Sequence, residues 1–317
     1  MAKTKEISRR IKSISSTKKI TKAMEMVAAA KMRRAIEAVL KTRTYANLSW
    51  ETVLHLAELS KKQKESVHPL LAQAAAVVDK VCLVLITSNR GMCGSYNAAV
   101  INKAINSVKK HAVDTDVVLV GRKGAVIASQ GLNIFAEFEK SDILSDIKDV
   151  YPVSKLIIES FLSGKYGKIF VAYTDFVNPV KQVPRVKQLL PVTIDSVDEY
   201  LGIVGKESPV AVSKGLMEEK EAKHLKAEGF SFEYKFEPNP REVLDKIVPR
   251  LLEVQLYQTF LEANASEYSA QMTAMHQATE AAQDMVTELT LFYNKVRQAG
   301  ITAEIAEISA GANALSE

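Results

Sequence analysis

The sequence predicts a central α/β domain joined to a long antiparallel coiled coil, which the N- and C-terminal helices of the chain form together. Three observations support this fold class. Residues 3 to about 60 contain neither proline nor glycine and show helical spacing of apolar residues. A second long helical pattern follows Pro240. Between them, short runs rich in Val, Ile and aromatic residues alternate with helical segments, which is typical of a layered α/β domain.

The first segment, residues 1–60, is predicted to be the N-terminal helix of the coiled coil. Its apolar residues recur mostly at steps of three and four, as one face of a helix requires, although the polar run SSTKK interrupts them. The predicted stripe consists of Ile7, Ile11, Ile14, Ile20, Met24, Val27, Ile36 and Leu40.

The middle segment, residues 70–235, is predicted to be the α/β domain. Four strands are expected at 81–88, 116–121, 133–139 and 168–176. The run VPRVKQLLPV reads as a further strand, and its prolines favour the edge of the sheet. Residues from about 200 to 228 are charged and weakly patterned, which indicates an insertion.

The last segment, residues 240–312, is predicted to be the second coiled-coil helix. Asn239 is a suitable N-cap and Pro240 a suitable first-turn residue, while Pro249 should kink the helix or begin a new one. Apolar and small residues then alternate steps of four and three over five heptads, which predicts a left-handed seam. The seam consists of Leu261, Ala265, Tyr268, Met272, Met275, Thr279, Ala282, Val286, Leu289, Tyr293 and Val296.

Length and charge indicate that the two end helices pair. A globule of this size has a diameter of about 50 Å, whereas a helix over residues 250–310 would extend about 90 Å and must project. Residues 1–45 carry 13 Lys and Arg and 3 acidic residues, and residues 252–317 carry 2 and 9. Opposite charges suggest that the ends lie side by side, antiparallel because the α/β domain joins them at one end.

Bulk composition excludes several classes of protein. No apolar run approaches the roughly 18 residues of a membrane span. The two cysteines, Cys82 and Cys93, form no metal-binding or disulfide pattern. The basic, serine-rich first 20 residues are also typical of a transit peptide, but the helical pattern continues through them.

RGMCGSYN, residues 90–97, allows three interpretations. It lies between a predicted strand and a predicted helix, where phosphate-binding loops occur, but it has neither the GK[ST] ending nor the GxGxxG spacing. Cys93 as a nucleophile would need a base, and no histidine lies nearby in sequence. A glycine-containing strand-to-helix turn is favoured for this run, and likewise for GRKG at 121–124. His276 is interpreted as a surface or packing residue.

Three blocks of sequence resemble the gamma subunit of F-type ATP synthases, over nearly the whole chain. They are KKITKAMEMVAAAKMRRA at 18–35, RGMCGSYN at 90–97 and YNKVRQAGITAEIAEISAGANA at 293–314. The last block carries the Ile-Thr-x-Glu pattern, a second acid at Glu307 and the pair Gly311-Ala312.

The resemblance implies a rotor shaft without an active site or cofactor of its own. Such a shaft enters a ring of alternating alpha and beta subunits, and its Rossmann-like base lies on the epsilon subunit and the ring of c subunits. Proton flow turns it, and nucleotides bind to other subunits. No nucleic acid is expected, and the chain should lie peripherally at the cytoplasmic face of a bacterial inner membrane.

The resemblance also implies roles for particular residues. Coupling to the beta subunit is expected at Met24, Arg297, Gln298, Thr302 and Glu304. A family motif of the base domain, with no catalytic role, corresponds to Arg90, Gly91, Cys93, Gly94 and Asn97.

From residue patterns alone, two other functions stay open. One is a nucleotide-using α/β enzyme centred on residues 80–195, for which calorimetry with ATP and ADP would be diagnostic. The other is a coiled-coil scaffold or nucleic-acid tether, because the N-terminal helix is basic.

Overall fold

The computed structural model describes residues 2–62, 69–70, 80–111, 113–142, 144, 146–191 and 240–316. The insertion expected near 200–228 and the N-cap residue Asn239 lie outside the described residues. The chain divides into two compact units: unit 1 contains residues 1–29 and 271–317, and unit 2 contains residues 30–270. In the described ranges, no helix is long and apolar enough to span a bilayer.

Unit 2 contains a five-stranded sheet. Its strands are β1 (Val81–Ile86), β2 (Thr115–Val120), β3 (Asn133–Phe138), β4 (Lys168–Phe176) and β5 (Gln182–Leu190). They are arranged in the order β3-β2-β1-β4-β5, parallel throughout except that β5 pairs antiparallel with β4. This order is Rossmann-like. The fifth strand is at the edge, as its prolines predicted.

Helices cover both faces of this sheet. Helix α2 (Tyr96–His111) packs through Val100, Ile101 and Ala104 against one face. Helix α3 (Tyr151–Leu162), which follows a 3₁₀ turn at Ile147–Val150, packs against the other face together with the last helix of the chain. Strands buried on both sides are continuous apolar runs, which explains why VCLVLI shows no alternation.

The two end helices are α1 (Ala2–Lys62) and α4 (Pro240–Ser316), and each is continuous. Of the two alternatives for Pro249, the start of a new helix is wrong, because α4 runs through this residue, and a kink stays a prediction. Val248 and Leu251 on either side are buried in the unit 2 core, so packing maintains the helix although proline removes a backbone hydrogen bond. Gly300 does not interrupt α4 either; its Cα faces open space.

In unit 1 the two helices pair antiparallel. Thr279 Oγ1 donates to Thr21 Oγ1 at 2.8 Å, and His276 Nδ1 lies 3.3 Å from Glu25 Oε1. Lys18 contacts Gln283 one turn further along. The numbers of paired residues add to 300 or 301, which defines the register. The antiparallel coiled coil predicted from the sequence is thus confirmed within this unit.

The seam of α4 is also as predicted within unit 1. Met275, Thr279 and Ala282 are buried, and the four later seam positions are half-buried, with neighbours that are exposed except for Asn294. The α1 stripe is correct at Ile7, Ile11 and Ile14, and Met24 and Ile36 are half-buried, but the stripe is wrong at three positions.

Ile20 and Val27 are 60% and 57% exposed, whereas Thr21 is half-buried and Ala28 is buried. Leu40, in unit 2, is exposed as well. A strict alternation of four and three from Ile7 leads to Thr21 and Ala28, so the heptad continues through small residues and leaves large ones outside.

Candidate functional site

The motif RGMCGSYN forms the turn between β1 and α2. Met92 and Gly94 both have left-handed backbone angles, with φ of 66° and 56°. Glycine adopts this conformation at no steric cost, and the turn allows α2 to begin at Tyr96.

Polar side chains of this turn bind one another. The Asn97 amide donates to Ser88 Oγ at 2.7 Å, and its carbonyl accepts from the Ser88 backbone N–H at 3.0 Å. Cys93 is buried, with Asn97 Nδ2 at 3.2 Å and Ser88 Oγ at 3.7 Å from its sulfur. Burial raises the pKa of the Cys93 thiol, which keeps it protonated. The geometry supports a structural turn rather than a reactive cysteine.

The glycines of GRKG lie close to the end of β1. Gly121 has a φ of 92°, and a Cβ there would lie 2.3 Å from the Thr87 carbonyl oxygen. A Cβ on Gly124 would lie 2.1 Å from Leu119 Cδ1. A side chain at Gly121 would collide with the backbone, and one at Gly124 would require the buried Leu119 side chain to move, so both glycines serve the close packing of this turn.

The seam of the unit 1 helix pair is polar over two turns. Besides the Thr21–Thr279 hydrogen bond, Glu25 accepts from Lys22 at 2.9 Å and faces His276. The hydrogen bond from Lys22, followed by its charge and by His276, lowers the pKa of Glu25 despite partial burial. His276, interpreted from the sequence as a surface or packing residue, is exposed and also lies 3.4 Å from Glu280.

Met24 lies beside this polar stretch and is half-buried. Three large apolar side chains around it, Ile20, Met26 and Val27, are exposed. Apolar surface of this kind on a paired helix often marks a contact with another protein.

The candidate residues of the C-terminal block are all exposed. These are Arg297, Gln298, Thr302 and Glu304. The Thr302 hydroxyl donates to the Gln298 carbonyl at 2.9 Å within the helix. By the register of unit 1, Arg297 lies level with Thr4. Every residue from 297 to 310 is exposed.

Met24 and the C-terminal group are not brought together. Met24 lies level with the region of His276, about 20 residues from Arg297 along α4, or about 30 Å at 1.5 Å per residue. They form two separate candidate contact areas on the same helix pair.

A further polar group was missed by sequence reasoning. In unit 2, Asn264, Glu267 and Tyr268 of α4 bind residues 140–142. Ser266 binds Thr174 within β4, and Ser269 binds Pro179 after the end of that strand. These partners are about 90 or more residues apart in sequence. No periodic signal identifies such pairs.

Comparison with known proteins shows which family the chain is similar to. The family model described as ATP synthase matches residues 3–315. The chain is 38% identical to the ATP synthase gamma chain of Roseiflexus sp. (strain RS-1), over all of both chains. It is 34% identical to that of Legionella pneumophila (strain Corby), over 99% of this chain and all of the relative.

A solved structure supports the fold. A chain of the rotor of Euglena gracilis mitochondrial ATP synthase, in rotational state 1, superposes with a TM-score of 0.56 at 13% identity. The match covers 95% of this chain and 99% of the other.

Proposed function

The chain belongs to the ATP synthase gamma chain family, and from this premise we propose that it is the central rotor shaft of an F-type ATP synthase. It couples proton flow through the membrane sector to sequential conformational changes at the catalytic beta subunits. It has no active site of its own, and in reverse it transmits the energy of ATP hydrolysis.

The observation that carries this proposal is the antiparallel pairing of α1 and α4 in unit 1, with large apolar residues facing outward. Ile20, Met26 and Val27 on α1 and Leu291 and Phe292 on α4 are exposed. Burying them requires a protein sleeve, and a ring of alternating alpha and beta subunits provides one.

Exposed cations accompany the apolar residues on α1. Arg9, Arg10, Lys12, Lys19 and Lys22 are exposed, and residues 1–45 carry a large excess of positive charge. Charge of this kind steers a partner and determines its orientation more than it supplies affinity. It favours an acidic partner surface on the beta subunit.

The two contact areas have separate roles in this proposal. Met24 faces the beta subunit in the middle of the helix pair, and Arg297, Gln298, Thr302 and Glu304 engage beta near its end. A shaft changes nucleotide affinity only if its contacts differ among the three beta subunits, because equal contacts shift no equilibrium. An asymmetric helix pair with two distant contact areas meets that requirement.

The α/β domain is the base of the rotor, with the boundaries 70–235 expected from the sequence. It contacts the epsilon subunit and the ring of c subunits. Arg90, Gly91, Cys93, Gly94 and Asn97 maintain its β1–α2 turn. Through these partners the chain is held peripherally at a membrane, at the cytoplasmic face of a bacterial inner membrane.

Co-assembly tests the proposal. The full chain is expressed with the alpha, beta and epsilon subunits of the same organism and analysed by native electrophoresis, and vesicles with the complete complex are assayed for ATP-driven proton pumping. We expect a single complex that pumps. A chain that stays free would contradict the proposal and leave the coiled-coil scaffold open, whereas micromolar binding of ATP or ADP by the chain alone would favour the nucleotide-using enzyme.

A further inference from the structure

Helix α4 is held to the α/β domain within unit 2 by a set of directional polar contacts, which we call the helix clamp. It consists of Asn264, Ser266, Glu267, Tyr268 and Ser269 of α4 with residues 140–142, Thr174 and Pro179. It includes one ion pair that is largely buried, between Lys140 and Glu267.

The charged atoms of the ion pair lie close together, and both side chains are largely buried. Lys140 Nζ lies 2.6 Å from Glu267 Oε2, and the side chains are 2% and 13% exposed. A charge in such a place is unfavourable unless its partner is held in good geometry. Buried ion pairs are seldom the most stable way to fill a core, so folding stability alone gives no reason for this pair.

The β1–α2 turn positions Lys140. The Asn89 side-chain amide donates to the Lys140 carbonyl at 2.6 Å, and its oxygen accepts from the Lys140 N–H at 3.2 Å. The Lys140 ammonium lies 3.4 Å from Tyr96 Oη and 5.4 Å from the centre of that ring. The residues on either side of RGMCG thus fix the backbone and the charged end of Lys140.

Other contacts bind α4 on both sides of the ion pair. The Asn264 amide donates to the Ser141 carbonyl at 3.2 Å, and the Tyr268 hydroxyl donates to the Asp142 carbonyl at 2.6 Å. These residues and Glu267 share one face of the helix, at steps of three and four.

Nearly the opposite face is bound as well. The Ser266 hydroxyl donates to the Thr174 carbonyl at 3.0 Å, and the Ser269 hydroxyl donates to the Pro179 carbonyl at 2.6 Å. Two segments of the α/β domain, residues 140–142 and 174–179, therefore bind opposite faces of residues 264–269, which is less than two turns of α4.

Apolar contacts alone would hold the helix less firmly against rotation. They are non-directional, so they oppose a small rotation of the helix less specifically than hydrogen bonds do. Hydrogen bonds and ion pairs weaken steeply when their geometry changes. We propose that the Lys140–Glu267 ion pair transmits torque between the α/β domain and helix α4 and positions the shaft under load. This inference rests on the proposed rotor function.

The test compares loaded with unloaded rotation in membrane vesicles that contain the complete complex. ATP hydrolysis without a proton gradient places little load on the shaft, whereas proton pumping against a gradient places a large one. For Glu267→Gln we expect hydrolysis close to that of the unsubstituted complex. We expect protons pumped per ATP to be reduced about threefold or more, which is the factor that corresponds to the lower end of coupling free energies between residues in one ion pair.

A matched control and a second variant separate torque transmission from folding. Glu253→Gln makes the same chemical change in the same helix, at an ion pair with Arg250 that lies within α4, and should leave both activities unchanged. The double variant Lys140→Met/Glu267→Leu fills the site without leaving a buried charge unpaired. We expect this variant to assemble and to show the same reduced pumping ratio.

The outcomes are distinguishable. If the unsubstituted chain does not assemble with alpha and beta, the rotor proposal fails and the torque inference with it. If the unsubstituted complex pumps normally and the double variant pumps equally well per ATP, only the inference is overturned, and the ion pair serves the fold alone. If pumping and hydrolysis fall in proportion in the double variant, torque transmission is likewise rejected.

Discussion

Helix α4 is surrounded by protein in unit 2 and buried only along one stripe in unit 1. All eight side chains from Thr259 to Ser266 are buried, whereas from 271 to 300 only Met275, Thr279 and Ala282 are. A helix that is buried on every side belongs to a core, and a helix with one buried stripe presents the rest of its surface to a partner. The difference separates the part of the helix that the chain itself stabilises from the part left for other subunits.

The largest expected effect is the loss of stability when a substitution leaves a cavity in the core of unit 2 but not in unit 1. Leu256 is fully buried in the unit 2 core, so Leu256→Ala should reduce the free energy of unfolding by about 2–5 kcal/mol. Leu291→Ala on the same helix removes the same atoms from a side chain that is 68% exposed. This substitution should change the free energy of unfolding by about 0.5 kcal/mol or less. Urea titration of the full chain measures both. Equal losses would contradict the assigned burial.

A charged residue placed in the seam between α1 and α4 in unit 1 tests whether this narrow seam also excludes water. Met275 is buried, so Met275→Asp should cost about 2 kcal/mol, because a carboxylate there lacks a partner. Met285→Asp, at an exposed position of the same helix, is the control. Circular dichroism during thermal unfolding should show a lower midpoint for the first variant only. An unchanged midpoint would mean that the seam is open to water.

Exposed residues near the end of α4 should matter to function and not to folding. Arg297→Ala and Gln298→Ala are each expected to lower ATP turnover of the assembled complex about fivefold, equivalent to one lost hydrogen bond of about 1 kcal/mol. The unfolding midpoint of the isolated chain should not change, because both side chains are exposed. Glu288→Ala, also exposed, is the control. Normal turnover in both variants with normal assembly would remove the proposed beta contact.

The smallest expected effect is a loss of thermal stability at acidic pH. The pKa of Glu25 is lowered in the folded helix pair, so its contribution to stability is present above its ordinary value and is lost as pH falls through the lowered value. The thermal midpoint of the full chain should fall between about pH 6 and about pH 3.5, and slightly less so in Glu25→Gln. An identical pH dependence in the two proteins would show that this carboxylate does not contribute to pairing.

The α1 stripe shows where sequence reasoning lost the register. Ile20 and Val27 are large and apolar and were assigned to the seam, but the seam passes through Thr21 and Ala28. Helical spacing identifies a face only when the largest apolar residues are also the buried ones. In α1, large apolar residues lie outside the seam and small ones lie within it, so spacing and size do not agree.

The candidate contact residues show a different limit. Arg297, Gln298, Thr302 and Glu304 are exposed and give no periodic signal, so their roles came from the resemblance. Met24 is half-buried and belongs to the predicted stripe, but its role as a contact also came from the resemblance. The structure places them in two areas of one helix pair, and their roles stay predictions. Neither periodic spacing nor the family resemblance indicated the Lys140–Glu267 ion pair.

The sequence by itself determined the element types, the edge position of β5, the heptads of α4 and the family, because each depends on neighbouring residues or on recurring motifs. Only the tertiary structure decided which face of α1 is buried, that α4 continues through Pro249, and that Lys140 meets Glu267. These depend on contacts between residues far apart in the chain, whose combined free energy overrides local preference.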